Sequence, residues 1–311
     1  MKYVFGVDVG GTSVKLGYFD MEGNLIDKWE IPTRTEDNGE NIIPDIAGSI
    51  MVKMTQKNID KKEVAGVGIG VPGPVKADGT VIMAVNLGWK NKNPNEELGA
   101  LLNIPVKTAN DANVAALGEM WRGGGQGYSD VVAVTLGTGV GGGIIINGHV
   151  VAGANGGGGE IGHIHLEDDE TEACGCKGHG CLEQYASATG IVRLANKKLA
   201  DSSKPSVLRS GEVSAKTVWD AVKDGDELAK EVAEAFGDYL GKGLAAVAGI
   251  ADPQIFVIGG GVSKAGHIII DYVKPYYEKY AFPGAKNVKF VLAKLGNDAG
   301  IYGSARLVLD K

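Results

Sequence analysis

The chain has 311 residues, 44% hydrophobic and 22% charged, which fits a globular protein of two domains, or one large domain split by a cleft, and argues against disorder or a fibre. Acidic residues outnumber basic ones, 38 to 31, for a net charge of −7 with no basic run, so nucleic-acid binding is not expected. No apolar stretch reaches the roughly 18 residues of a membrane span. Met1-Lys2-Tyr3-Val4-Phe5-Gly6 runs straight into a strand pattern without signal-peptide organisation, so the expected location is the cytoplasm.

Glycine is over-used, with 49 residues against a usual share of roughly 7%, and it is clustered. Residues 3–8 read as a buried strand, followed by Gly10-Gly11-Thr12 and a second strand over Val14–Phe19. The same shape returns at 131–146, where Gly137-Thr138-Gly139 separates two apolar runs. Val67-Gly68-Ile69-Gly70-Val71-Pro72-Gly73 is matched by Phe256-Val257-Ile258-Gly259-Gly260-Gly261-Val262. Asn110-Asp111-Ala112 is matched by Asn297-Asp298-Ala299, each opening a small-residue helical run. Three pairs in one order point to an internal duplication. Between them, Asp226–Gly249 carries Leu228, Val232, Phe236, Leu240, Leu244 and Val247 at helical spacing, and Asp252-Pro253 leads into a strand at 255–258. Residues 200–216, rich in Ser, Lys and Gly, read as a surface loop. Strands alternating with helices make the fold α/β.

Cys174, Cys176 and Cys181 are the only cysteines. An odd, tightly grouped set does not make a disulfide framework. Three thiolates and one histidine make a closed zinc site, with His163, His165 and His179 as candidates for the fourth ligand. The Gly-Thr turns are the other chemical signal. Backbone amides unobstructed by side chains suit phosphate oxygens, with Thr12 and Thr138 adding hydroxyls and Lys15 a counter-charge. Neither turn is a P-loop or a strand-to-helix dinucleotide turn.

Together, Asp8-Val9-Gly10-Gly11-Thr12, Leu136–Gly143, Gly159-Glu160-Ile161-Gly162-His163 and Cys174-x-Cys176-x4-Cys181-Leu182-Glu183 resemble the ROK family of repressors and sugar kinases, along essentially the whole chain. The resemblance implies the actin-like ATPase (ribonuclease H-like) fold, with two duplicated α/β domains around a cleft. Residues 1–112 with a helix at 298–311 would form the smaller domain, and 113–297 the larger one with the zinc loop. Within the family the resemblance is strongest to bacterial glucokinases. That implies phosphorylation of D-glucose at its 6-hydroxyl by ATP with Mg²⁺, a structural Zn²⁺, and a homodimer or larger homo-oligomer.

Residue by residue, the resemblance assigns Asp8, Gly10, Gly11, Thr12, Lys15, Gly137, Thr138 and Gly139 to the ATP phosphates, with Asp8 orienting Mg²⁺ through water. It lays Gly259, Gly260 and Gly261 against adenosine. It makes His163, Cys174, Cys176 and Cys181 the zinc ligands and leaves His179 on the surface. Asp111 becomes the general base, and Asn86, Asn110, Glu160, His163 and Glu183 join it on the sugar. Two further expectations follow. Asp298 serves only as a helix cap, and loss of metal disturbs the sugar site while the phosphate turns keep their shape. The alternatives are another hexose or N-acetylhexosamine kinase, polyphosphate as donor, and a non-catalytic sugar-binding regulator. For a DNA-binding repressor of the family, the first turn stands too near Met1 to leave room for a helix-turn-helix.

Overall fold

The computed structural model describes residues 1–309; the last two residues of the helix expected at 298–311 lie outside them. Two compact units form. The first comprises Met1–Ser129, Gly143–Gly159 and the described residues from Leu295 onward; the second comprises Asp130–Gly142 and Glu160–Lys294.

In the first unit, β1 (Tyr3–Val9), β2 (Ser13–Asp20) and β3 (Leu25–Pro32) form an antiparallel meander. β4 (Val64–Val71) runs parallel to β1. The short β5 (Val81–Ala84) and β6 (Trp89–Lys92) pair only with each other, and β7 (Val106–Asn110) completes the order β3-β2-β1-β4-β7. β4 is apolar on both faces, as a central parallel strand must be, while β3 alternates as an edge strand does. After the single-turn α1 (Glu36–Gly39), α2 (Ile42–Lys57) buries Ile42, Ile43, Ile46 and Ile50 in one core with Phe5, Val7 and Ile69, and it stops at Asn58 in the left-handed region. α3 (Pro94–Leu102) starts on Pro94 and an Asn93 cap. α4 (Asp111–Arg122) follows β7 directly.

The second sheet contains β8 (Val131–Leu136), β9 (Val140–Ile146), β10 (His149–Val150), β11 (Ile255–Gly259) and β12 (Lys289–Leu292), in the order β10-β9-β8-β11-β12. Strand for strand this repeats the first sheet, as the three motif pairs predict. α5 (Glu183–Ala186), α6 (Ala188–Asp201) and α7 (Ala215–Lys223) precede the long α8 (Glu227–Ala251), which is capped by Asp226 and buries all six of the expected apolar positions. α9 (Ile268–Tyr280) lies between β11 and β12 in the chain. The expected loop at 200–216 is largely irregular, although Leu208 is buried and Ser214 caps α7.

α10 (Ala299–Leu309) returns to the first unit. It crosses α4 at glycines: a Cβ on Gly303 would stand 1.5 Å from the Val114 carbonyl oxygen, and one on Gly118 2.3 Å from that of Ala299. Gly6 and Gly68 of the sheet touch α10 backbone just as closely, and Ser304 Oγ donates to the Val7 carbonyl at 2.8 Å. A domain break at residue 112 would cut α4 after its second residue; the first unit instead keeps α4 whole and runs on to Ser129.

Candidate functional site

In the first unit, the C-terminal ends of β1, β4 and β7 lie side by side, with Asp8 paired to Gly70 and Val71 to Asn110. Open parallel sheets bind ligands at this edge. Asp8 sits opposite Lys15 on the β1–β2 ladder. Its carboxyl packs so tightly against α10 that a Cβ on Gly300 would meet Asp8 Cγ at 2.5 Å. Burial pushes the Asp8 pKa up to about 6; Lys15 pulls it down, and the nearby charge of Asp111 pushes it further up. Lys15 Nζ donates to the Asn297 carbonyl at 3.2 Å. Gly11 and Thr12 are exposed at the turn, and exposed Asn86 stands beside them, its Cβ 3.6 Å from where a Gly11 Cβ would be.

β7 runs into α4 through Asn110 and Asp111. Asn110 Oδ1 accepts from the amides of Ala112 and Asn113 at 2.9 and 3.2 Å, and its Nδ2 donates to the Gly73 carbonyl at 3.1 Å. Asn110 is therefore the helix cap. Asp111 is the first helical residue, its Oδ1 accepting from Ala112 N at 2.8 Å. The duplicate differs. Asp298 is not a cap: a short turn over Gly296–Asp298 precedes α10, and Asp298 Oδ2 pairs with Lys28 Nζ at 2.6 Å. The expected capping role of Asp298 is thus corrected.

In the second unit, the Gly137 amide donates to the Gly139 carbonyl at 3.0 Å, closing the turn between β8 and β9. Beside it, Gly260 follows β11 with φ +85°, and a Cβ there would stand 2.4 Å from the Leu136 carbonyl oxygen. Gly259 pairs with Thr135, and the exposed side of Gly261 is open. Gly11 and Gly137 have ordinary φ values, so the left-handed glycine of this region is Gly260.

The loop after Glu160 brings His163, Cys174, Cys176 and Cys181 together, with all four ligand atoms within 4.8 Å of one another. Cys176 Sγ and Cys181 Sγ are 3.7 Å apart, as are Cys174 Sγ and His163 Nδ1. A tetrahedron with Zn–S bonds of about 2.3 Å has edges of roughly 3.8 Å, so the four groups fit zinc; a disulfide, at about 2.05 Å, is excluded. His165 points elsewhere, its Nδ1 donating to the His179 carbonyl and its Nε2 meeting Asp168, both at 2.8 Å. His179 lies outside the cluster, so among the three candidates the grouping selects His163. Burial and a hydrogen bond to Glu183 push the Cys174 thiol up to about 12, so a metal must displace its proton on binding.

Glu183 touches two features. Its Oε1 accepts from Cys174 Sγ at 2.9 Å, and its Oε2 accepts from the Val140 amide at 3.4 Å, against the phosphate-type turn. The loop is braced by Glu170, bonded by Arg193 and, at 2.5 Å, by the Tyr185 hydroxyl; these bonds hold its carboxyl near 2. Glu160 is exposed at the start of the loop. Sequence reasoning missed Gly300, Glu170 and Arg193, whose partners are far off in the chain and follow no periodic pattern.

The profile of the family described as "ROK family" matches residues 4–311. A glucokinase of Halalkalibacterium halodurans is 41% identical, over 99% of this chain and 95% of the relative. An N-acetylgalactosamine kinase of a Shewanella species is 33% identical, over 97% of this chain and 96% of the relative. The crystal structure of a ROK family glucokinase from Streptomyces griseus, in complex with glucose and AMPPNP, superposes with a TM-score of 0.75 at 33% identity, over 99% of this chain and 100% of that one. The chain belongs to the ROK family, and its two α/β units have the actin-like ATPase fold of the family's sugar kinases.

Proposed function

We propose that the chain is an ATP-dependent glucokinase of the cytoplasm, transferring the γ-phosphoryl group to the 6-hydroxyl of D-glucose. The observation that carries this reading is the division of labour at the start of α4. Asn110 Oδ1 takes both the Ala112 and Asn113 amides, so the Asp111 bond to the Ala112 amide duplicates one already made, and Asp111, one residue on at the ligand edge of the sheet, is not needed as the cap. A sugar hydroxyl is a weak nucleophile, and a carboxylate in reach removes its proton as the phosphoryl group moves. The glucokinase of Streptomyces griseus, bound to glucose and AMPPNP, supports both substrates.

In this reading Gly10, Gly11, Thr12, Lys15, Gly137, Thr138 and Gly139 hold the phosphates, and Gly259–Gly261 backs the adenosine. Asp8, an anionic group beside a lysine at the sheet edge, is suited to holding hydrated Mg²⁺. Magnesium supplies charge neutralisation on the phosphates when bound. Asn86, Asn110, Glu160, His163 and Glu183 bind sugar hydroxyls, the carboxylates accepting from more than one at once. His163, Cys174, Cys176 and Cys181 would hold zinc, which supplies structural order. With Nδ1 facing the cysteines, the His163 Nε2 is left as a donor of fixed tautomer for the sugar.

A second reading, an N-acetylhexosamine kinase, is favoured by the likeness to the Shewanella enzyme. A coupled assay over hexoses and N-acetylhexosamines, with ATP and polyphosphate as donors, decides between them. Turnover of glucose with ATP is expected. Preference for an N-acetylated sugar would replace the first reading by the second, and turnover of none would leave a sugar-binding regulator.

A further inference from the structure

The two Gly-Thr turns are each held from behind by the same two kinds of hydrogen bond, although on different carbonyls of the turn. In the first unit Thr33 Oγ1 donates to the Gly10 carbonyl at 2.7 Å, and the Thr33 amide donates to the Thr12 carbonyl at 3.0 Å. In the second, Thr189 Oγ1 donates to the Thr138 carbonyl at 2.7 Å, and the Ala188 amide donates to the Gly137 carbonyl at 2.8 Å. Each turn thus has one carbonyl on a threonine hydroxyl and a second on a backbone amide. The second clasp has a further link. Because the Thr189 hydroxyl donates to the turn, the 2.9 Å contact with buried Ser187 Oγ is one in which Ser187 donates, and Ser187 Oγ in turn accepts from the Gly190 amide at 3.0 Å. Donors and acceptors run in one direction from α6 to the turn, an arrangement in which each bond strengthens the next.

A trans peptide is planar, with its C=O and N–H on opposite sides. Pinning the Gly10 carbonyl therefore aims the Gly11 amide away from Thr33. Pinning the Gly137 and Thr138 carbonyls aims the amides of Thr138 and Gly139 away from α6. Amides arrayed this way, with their orientation fixed before an anion arrives, bind it without losing backbone freedom.

We propose that Thr33 and Thr189 are positioning residues for nucleotide phosphate, each setting the amide direction of one turn through its hydroxyl. The proposal rests on the assignment of both turns to ATP. It is tested with Thr33→Val, Thr189→Val and the matching serine variants in the full chain. The readouts are KM for ATP, AMPPNP affinity by calorimetry, and glucose affinity measured without nucleotide. Loss of one such hydrogen bond is expected to weaken AMPPNP binding and raise KM for ATP roughly threefold to tenfold in each valine variant. Glucose affinity should stay within about twofold, and both serine variants should return to wild type. Thr189 is exposed, so its valine variant is expected to fold and gives the reading even if Thr33→Val melts too low. Unchanged nucleotide affinity in Thr189→Val overturns the proposal. So do serine variants as weak as the valines, since packing and not the hydroxyl would then be at work. A wild-type chain that binds no AMPPNP sinks the kinase reading itself, a separate outcome from a working kinase indifferent to Thr189.

Discussion

The turn of the first unit stands among ionisable groups: Asp8 precedes it, Lys15 faces Asp8 across the ladder, and Asp111 is near enough to influence the Asp8 carboxyl. At the matching place in the second unit, Thr135 occupies the strand position of Asp8, paired with Gly259 as Asp8 is with Gly70. Each turn is closed by the amide of its first glycine, Gly10 donating to the Ser13 carbonyl and Gly137 to the Gly139 carbonyl, and each has a carbonyl held by a threonine hydroxyl. Both copies have therefore kept a short glycine turn held by a threonine, while the charges diverged. In the proposed kinase reading both turns serve phosphate through backbone amides, whereas proton transfer and a hydrated cation need only one set of carboxylates. The same split recurs at the paired helix starts, where Asp111 adjoins a separate cap and Asp298 is spent on a surface ion pair with Lys28.

The sharpest way to break this comparison is to neutralise both aspartates. Asp111→Asn should lower kcat by about 10²–10⁴-fold while calorimetry still detects glucose binding. Asp298→Asn should keep turnover and shift stability by about 0–1 kcal/mol, the range for an exposed ion pair. Wild-type kcat in the first variant, or lost activity in the second, would undo the asymmetry.

Next in size is the metal loop. Elemental analysis should find one zinc per chain, and Cys176→Ser should lose it and weaken glucose binding by about 10–100-fold. The Glu183 contacts revise the expectation that the phosphate turns are indifferent to the loop. Because one carboxylate meets both Cys174 and Val140, AMPPNP affinity should fall too, though by less. Full nucleotide affinity in the variant would show that Glu183 transmits nothing.

Asp8 sharpens the comparison through pH. Its folded value, about 6, lies above the ordinary 3.8, so the folded chain binds the proton more tightly and ionisation opposes folding. Stability from this group is fullest below about 3.8, declines as pH rises to about 6 and stays low above it. In nucleotide-free protein, Asp8→Asn should be more stable than wild type at pH 7–8 by up to about 2–3 kcal/mol, with no gain near pH 3.5, while Mg²⁺-ATP turnover drops. Denaturant melts at the two pH values read this directly, and an equal shift at both would refute it.

Smallest are the glycines. Gly260→Ala should cost about 1–3 kcal/mol, from its left-handed backbone and the Leu136 carbonyl in its way. Gly11→Val and Gly137→Val, where a Cβ meets nothing closer than ordinary van der Waals contact and φ is ordinary, should melt near wild type and instead raise KM for ATP. A melting loss at Gly137 equal to that at Gly260 would contradict the assignment.

Much of this was legible in the sequence, for identifiable reasons. The paired strands were readable because buried parallel strands are continuous apolar runs, and α8 because six apolar residues keep one helical face. The Cys3His grouping was readable from short spacing, although the choice of His163 over His165 came first from the family resemblance and, in space, from the Asp168 and His179 bonds that occupy His165. The roles of Asn110 and Asp111 were not separable, since both are good caps and only side-chain direction distinguishes them. The end of the first unit was hidden for another reason: no local pattern announces that α4 must stay whole to meet α10 at Gly118 and Gly303. Thr33 and Thr189 bond to carbonyls distant in the chain, which no motif records.

The backbone-to-backbone seating of α10 also bears on how the chain is made. The 297-residue span between Val7 and Ser304 is closed by one hydrogen bond, so synthesis of the first unit starts before that of the second, and its last helix emerges only after it. Until then Gly6, Gly68 and Gly118 have no helix against them, while the second unit, lying wholly between Asp130 and Lys294, can already be complete on the ribosome. Domains generally fold as their chain emerges. Here the unit whose synthesis starts first is the one that must wait, its glycine seam unfilled until α10 arrives.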